Sequence, residues 1–252
     1  GNCELMQLCR RYGVEDAHRY DGEMTETEID DSAAHMIRDN SKCILCRRCV
    51  AVCKEVQGVS VIGANNRGFK TQIGSAYELP LAETSCVSCG QCIAVCPTGA
   101  LQEKDFTADV FAALADPTKH VLVEVAPAVR VGIAKELGEP NGFMATGKIF
   151  AAMRRMGFNR VFDTTTGADM TVIEEGNEFI ERLNKGGKLP LFTSCCPAWV
   201  KYLENMNPKY LKNISTCKSP MEMFGAILKD QYKQKDAEDG KKTFHIAIMP
   251  CT

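Results

Sequence analysis

The chain has 252 residues, enough for one large domain or two smaller ones, and carries 30 basic against 32 acidic side chains, a net charge of −2. So mixed a charge leaves no electrostatic footprint for nucleic acid. No apolar run reaches the roughly 18 residues that span a bilayer, and no secretory signal is visible. Fourteen cysteines are the outstanding feature. Ten lie in residues 1–96 and four in residues 195–251, with none between. A secreted disulfide framework belongs to shorter chains, so metal binding is the better reading of so uneven a distribution.

The sequence opens on Gly-Asn-Cys3-Glu-Leu with no initiator Met and is expected to be cut at its start. Two repeated runs follow. Cys43-Ile-Leu-Cys46-Arg-Arg-Cys49-Val-Ala-Val-Cys53 is offset by 43 residues from Cys86-Val-Ser-Cys89-Gly-Gln-Cys92-Ile-Ala-Val-Cys96, which Pro97 follows. The stretch between them, GANNRGFKTQIGSAY, is rich in Gly, Asn and Ser and reads as a long connection with little regular structure. Beyond FTADVFAALADPTKH the pattern changes. HVLVEVAP (120–127), RVFDTT (160–165), LPLFTS (189–194) and FHIAIMP (244–250) read as apolar strands. GKIFAAMRRMG (147–157), residues 168–187, AWVKYLENM and PMEMFGAILKDQYKQ read as helices. Strands alternating with helices predict an α/β unit with a mostly parallel sheet.

Thiolates bind iron softly and strongly, and the C-x2-C-x2-C-x3-C spacing is that of a 4Fe-4S site whose fourth Cys reaches the other cluster. One cluster is therefore assigned to Cys43, Cys46, Cys49 and Cys96, and a second to Cys86, Cys89, Cys92 and Cys53. Two clusters alone make an electron conduit, so the remainder of the chain must supply or accept the electrons. Ligands of open α/β sheets sit outside the carboxyl ends of the strands. Here those ends carry Ala126-Pro127, Thr164-Thr165, Ser194-Cys195-Cys196 and Met249-Pro250-Cys251. Cys195, Cys196 and Cys251 thus reach one rim, which points to a further iron–sulfur centre. Adjacent side chains on an extended strand diverge, so Cys195 and Cys196 are not expected to share one task.

These residues carry a resemblance. The repeated run resembles two-cluster bacterial ferredoxins, with Lys54 standing where Pro often follows the fourth Cys. FTSCCPAW and MPCT resemble the first two signature motifs of FeFe hydrogenases, and GNCEL resembles the end of the upstream His-Cys3 cluster motif of larger hydrogenases and complex I-like subunits. The resemblance implies an α+β two-cluster ferredoxin-like domain followed by part of an α/β H-cluster domain. It implies an oxidoreductase of anaerobic hydrogen metabolism catalysing 2H+ + 2e− ⇌ H2. Its catalytic H-cluster would be a 4Fe-4S cube joined through a Cys sulfur to a two-iron unit with CO, cyanide and an amine dithiolate. Expected domains are 1–30, the remnant of the His-Cys3 region with Cys3 as a ligand of a possible further 4Fe-4S cluster; 31–108, the two-cluster domain; and 109–252, the first half of the H-cluster domain.

The resemblance also assigns roles. Cys196 and Cys251 would ligate the cube, Cys195 would pass protons to the amine bridge, and Ala126, Pro127 and Met249 would line the two-iron pocket. Glu175, Glu178 and Arg182 fall on one helix face, which by spacing alone is a solvated charged surface. The resemblance turns them into a relay running from Arg182 near the surface through Glu178, Ser215 and Glu175 to Cys195. Ala128, Met221 and Ala198 stand where Ser, Gln and Gly are commoner in the family. Cys9 and Cys217 read as structural thiols, and His18, His35, His120 and His245, lacking ligand spacing, as structural or surface residues.

The family's C-terminal motif, with two more cysteines and a Lys, does not occur before Thr252. The chain is expected to be a piece of a longer or split enzyme, without turnover alone. Ferredoxin or an NADH-oxidising flavoprotein, together with maturation proteins, are the implied partners; no membrane span and a cytoplasmic location are expected. Two other readings compete: a hydrogenase-like iron–sulfur assembly scaffold, and an electron-transfer subunit whose α/β part docks a partner. Neither needs a proton-donating thiol or a carboxylate relay.

Overall fold

The computed structural model describes residues 4–16, 19, 22, 26–140 and 142–251; Cys3 and His18 lie outside them. Two compact units emerge. The first gathers the chain up to Lys104 together with Lys201–Met206, and the second gathers Asp105–Val200 and Asn207–Cys251.

The first unit begins with helix α1 (Glu4–Arg11). Its first N–H donates to the Pro97 carbonyl at 3.1 Å, and Arg48 donates to the Glu4 carboxylate at 2.6 Å. These bonds make α1 part of this unit. Strands β1 (Ile29–Asp30) and β2 (Met36–Asp39) precede the short helix α2 (Arg48–Ala51). Strands β3 (Gly63–Asn65) and β4 (Gln72–Gly74), helix α3 (Gln91–Ala94) and strand β5 (Leu101–Glu103) complete it. An antiparallel sheet has the order β1-β2-β5, and β3 pairs with β4 antiparallel. The expected unstructured connection is therefore a hairpin. Its Asn and Gly residues are turn chemistry: Asn66 and Gly68 take positive φ, and Asn65 Nδ2 donates to the Ser75 carbonyl at 2.7 Å. The core is small, built on Met36, Ile62, Ile73, Leu81 and Leu101, and it includes Cys49 and Cys92.

The second unit contains helix α4 (Thr107–Ala115), strand β6 (Lys119–Val125), helices α5 (Pro127–Gly132) and α6 (Thr146–Met156), and strand β7 (Arg160–Asp163). Helix α7 (Thr165–Lys185) follows, then the start of α8 (Pro197–Met206), whose residues from Lys201 on are counted with the first unit, and then α9 (Pro220–Glu238) and strand β8 (Lys242–Ile248). The sheet is parallel, in the order β7-β6-β8. Alternation sorts β6 between two faces: Val121 and Val123 pack with Ala113 and Phe158, whereas Leu122 packs with Phe224 and Leu228. A capping box of Ser219 and Glu222 starts α9, and left-handed Gly186 ends α7. The two helices approach so closely that a Cβ on Gly167 would lie 2.4 Å from the Pro220 carbonyl oxygen.

The expected strand over 189–194 is reduced to one bridge between Phe192 and Ile214, outside the sheet. Side chains take one carbonyl of this segment and several of the chain beside it. Arg182 donates to those of Lys188, Lys212 and Ile214, and Asn213 Nδ2 donates to that of Pro190.

Candidate metal centres and proton path

Cys43, Cys46, Cys49 and Cys96 line one cavity of the first unit, and Cys53, Cys86, Cys89 and Cys92 line another. Each quartet takes three thiols from one cysteine run and the fourth from the other. The repeat extends to the backbone. Leu45 and Arg47 have φ of 57° and 59°, and their counterparts 43 residues on, Ser88 and Gly90, have 59° and 68°. Left-handed residues alternating with right-handed or extended ones turn N–H groups into a concavity, as sites for anionic groups do. The Leu45 N–H accordingly donates to Cys43 Sγ at 3.4 Å. Three of these positions are not glycine, and such strain persists where the surroundings enforce it.

Burial first, then Cys86, Cys89, Cys49 and Cys53, pushes the Cys92 thiol up to about 12; burial, against the Val50 N–H and aided by Cys43, Cys46 and Cys96, pushes that of Cys49 up to about 11. Burial also acts upward on Cys96, but the N–H groups of Thr98, Leu101 and Ala100 and the Thr98 hydroxyl outweigh it and hold that thiol below its ordinary value. Among the described residues no three Cys, His or carboxylate groups close on a single ion. Four soft thiolates lining one cavity are the donor set that 4Fe-4S clusters use. The donor set therefore fits a 4Fe-4S cube in each cavity.

In the second unit the strand ends form a rim. Ala126 N–H donates to the Ile248 carbonyl at 3.0 Å, and Thr164 N–H to that of Val125 at 3.3 Å. Arg130 pairs with Asp163, which also accepts the Thr165 N–H at 2.8 Å. Ala126 is buried, Met249 half-buried and Pro127 exposed. Cys195 and Cys196 are exposed just ahead of α8, and Cys251 follows β8. Burial, then the charges of Cys196 and Cys195, push the Cys251 thiol up. The three thiols of the rim are thus electrostatic neighbours.

The sequence-derived relay is brought together in part. Ser215 Oγ donates to Glu178 Oε2 at 2.9 Å, and Thr216 donates to the same carboxylate through its N–H at 3.0 Å and its hydroxyl at 3.2 Å. Arg182 grips the other oxygen at 3.0 and 2.5 Å. Burial would raise the Glu178 pKa, but the Thr216, Arg182 and Ser215 hydrogen bonds prevail and lower it. Arg182 is only 14% exposed and also bonds three carbonyls, so it is a clamp rather than a surface terminus. No hydrogen bond joins Glu175 to Ser215 or Cys195 among the described residues.

Two residues escaped sequence reasoning. Thr216 completes the Glu178 cage, and only its place beside Ser215 hinted at it. His35 lines the cavity of the Cys53 quartet, a placement that no ligand spacing signals. His120 and His245 are internal partners of Asp236, at 2.8 Å, and Glu124, at 3.0 Å.

Comparison with known proteins follows the same two units. The family described as iron only hydrogenase large subunit, C-terminal domain, matches residues 119–252, and the 4Fe-4S dicluster domain matches residues 17–100. The NADP-reducing hydrogenase subunit HndD of Solidesulfovibrio fructosivorans is 47% identical over 100% of this chain and 44% of its own length. Iron hydrogenase 1 of Clostridium pasteurianum is 40% identical, again over 100% of this chain and 44% of itself. Among solved structures, an apo FeFe-hydrogenase HydA1 from Chlamydomonas reinhardtii superposes with a TM-score of 0.54 at 41% identity, covering 59% of this chain and 39% of that one. The chain thus spans less than half the length of these two curated relatives.

Proposed function

The chain belongs to the iron-only hydrogenase large-subunit family, and from that membership we propose that the complete protein interconverts protons, electrons and H2. The observation that carries this reading is the pair of cavities, each lined by four cysteines drawn from both runs, in a chain where Cys251 after β8 and the Cys195–Cys196 pair ahead of α8 are electrostatic neighbours. Cys43, Cys46, Cys49 and Cys96 hold one 4Fe-4S cluster; Cys53, Cys86, Cys89 and Cys92 hold the other. Together they pass single electrons. Cys196 and Cys251 are two of the ligands of the H-cluster cube, and Ala126, Pro127 and Met249 wall its two-iron part. The H-cluster supplies the redox chemistry of H2 when bound.

This chain's own residues handle the proton. The Cys195 thiol donates and accepts one proton at Sγ, and Ser215 with Glu178 forms a hydrogen-bonded step behind it. Arg182 never deprotonates in a protein. It therefore serves as a positioning residue that holds Glu178, not as a carrier. Glu175 bridges the remaining gap to Cys195 once water or a side-chain rotation closes it. Cys3 belongs to a further upstream cluster. The electron partner is a ferredoxin or an NADH-oxidising flavoprotein subunit in the cytoplasm, and the Solidesulfovibrio relative, an NADP-reducing hydrogenase subunit, supports a nucleotide-linked one.

Infrared spectroscopy of the complete protein after maturation tests the proposal. Bands of metal-bound CO and cyanide are expected. Their absence from protein carrying full iron sinks the hydrogenase reading in favour of a scaffold or an electron-transfer subunit.

A further inference from the structure

The internal repeat makes two nearly equivalent thiol quartets, yet their cavities are not lined alike. Beside the first, Asn40 Nδ2 is already committed to the Ile73 carbonyl at 2.8 Å, and the Thr98 hydroxyl lies 3.8 Å from Cys96 Sγ. Beside the second stands His35. Its backbone is pinned ahead of β2, where its carbonyl accepts the Lys104 N–H at 3.1 Å. Its Nε2 is buried and has no hydrogen-bond partner. A buried ring nitrogen without a partner is costly, and buried polar groups are rarely left so. What the cavity offers it is the space enclosed by Cys53, Cys86, Cys89 and Cys92.

We propose that His35 is a positioning residue for the second cluster: its Nε2–H donates a hydrogen bond to a sulfur, thiolate or inorganic sulfide, of the 4Fe-4S centre held by this quartet, and raises that centre's reduction potential. The inference rests on the reading that the quartet holds such a cluster. Every atom that a cluster presents outward is electron-rich, so the tautomer with hydrogen on Nε2 is the one the site selects. Burial first, then Lys201 and Lys104, disfavour the imidazolium; a neutral ring still carries one N–H. Hydrogen bonds to cluster sulfur favour the reduced, more negative form. Duplication alone would give two centres of similar potential. The His35 N–H shifts the second relative to the first, whose cavity is lined instead by Arg47 and Thr98.

The test uses the 252-residue chain, loaded anaerobically with iron and sulfide and titrated reductively under EPR detection. In His35→Phe one of the two midpoint potentials falls, by about tenfold in the reduction equilibrium, or about 59 mV for a one-electron couple. The other cluster, whose cavity His35 does not line, keeps its potential as an internal control. His35→Gln, which retains an N–H, recovers most of the shift. Pulsed EPR of the parent labelled with 15N-histidine shows a weak nitrogen coupling on one reduced cluster. Unchanged potentials in a fully loaded His35→Phe overturn the proposal. Should that variant fail to take up its cluster, absence of the 15N coupling in the parent overturns it instead. A parent with no 4Fe-4S signal from this quartet sinks the cluster assignment itself, and the role of His35 with it. That result is distinct from a loaded cluster whose potential ignores His35.

Discussion

Replacing Glu178 by Ala removes one acceptor from a cage of donors: Thr216 N–H at 3.0 Å, Thr216 Oγ1 at 3.2 Å, Ser215 Oγ at 2.9 Å, and Arg182 at 3.0 and 2.5 Å. Both charged side chains are about 15% exposed, so this is a largely buried pair. Breaking a buried pair costs about 3–5 kcal/mol. Arg182 keeps the carbonyls of Lys188, Lys212 and Ile214, which places the loss at the lower end, about 3 kcal/mol. Glu178→Gln keeps the volume and one acceptor oxygen but turns an amide NH2 toward donors, for about half that loss, ~1.5 kcal/mol. The pH dependence has a definite sign. The folded pKa is lowered, so the stabilisation is complete above the unfolded carboxylate value of about 4.3 and disappears as pH falls through the folded value. The gap between parent and variant should therefore narrow in acid. Urea unfolding at pH 7 and near pH 3.5, followed by the fluorescence of Trp199, measures it. That residue is the chain's single tryptophan and meets Phe192 edge-on at 5.9 Å. A Glu178→Ala chain within about 0.5 kcal/mol of the parent, the range of ordinary surface substitutions, or a gap that is equal at both pH values, refutes the reasoning.

Cys96→Ala is expected to halve the iron bound by the chain, because its partners in one cavity are Cys43, Cys46 and Cys49 while the other quartet is untouched; loss of the second cluster instead would undo the crossed assignment. In the complete matured enzyme, Cys195→Ala should keep the cluster iron and lose turnover, whereas Cys196→Ala should lose iron, and equal iron loss in both would refute the division. Ser215→Ala removes the hydroxyl that bonds Glu178 but not the backbone bond to Phe192. It should slow H2 evolution by about 10²-fold, the scale of a lost proton-transfer group, at a stability cost of about 1 kcal/mol; unchanged turnover would remove Ser215 from the relay. Gly167→Ala drives a methyl against the Pro220 carbonyl and Phe224 Cβ, where the α7–α9 contact has no room. A loss of about 2 kcal/mol or more is expected, read as a lowered thermal midpoint.

Local chemistry was legible wherever it repeats or terminates something. The cysteine spacing announced both quartets, the apolar runs announced β6, β7 and β8, and Gly186 and Ser219 marked helix ends. Legibility failed where a distant side chain took over a backbone group. LPLFTS has the composition of a strand, yet the donors of Arg182 and Asn213 hold the carbonyls around it. No window of sequence contains that competition. The linker failed for the opposite reason. Its Gly and Asn suggest a connection with little structure, although the same residues close the β3–β4 hairpin. Spacing alone makes Glu178 and Arg182 a solvated pair and the resemblance sets Arg182 near the surface, yet the fold covers both. His35 had no signal at all, since its importance lies in what its ring fails to touch within the protein.

The adjacent thiols gain their setting from the same failure of the strand to form. Released from the sheet, the segment before Cys195 pairs instead with the segment after Asn213. Phe192 N–H donates to the Asn213 carbonyl at 2.8 Å, Ser215 N–H donates to that of Phe192 at 2.7 Å, and Ser194 Oγ to that of Cys217 at 2.6 Å. Ser215 thereby faces two ways, holding the cysteine-bearing segment through its backbone and Glu178 through its hydroxyl. A strand within the sheet would have fixed the two thiols but left residues 213–217 free of them. Two loops bonded to each other, and clamped by Arg182, hold thiol and carboxylate in one frame. Proton transfer needs donor and acceptor within hydrogen-bond reach, and in the proposed relay this frame carries Cys195 and Ser215 on backbone bonds that side-chain substitution at either position leaves in place.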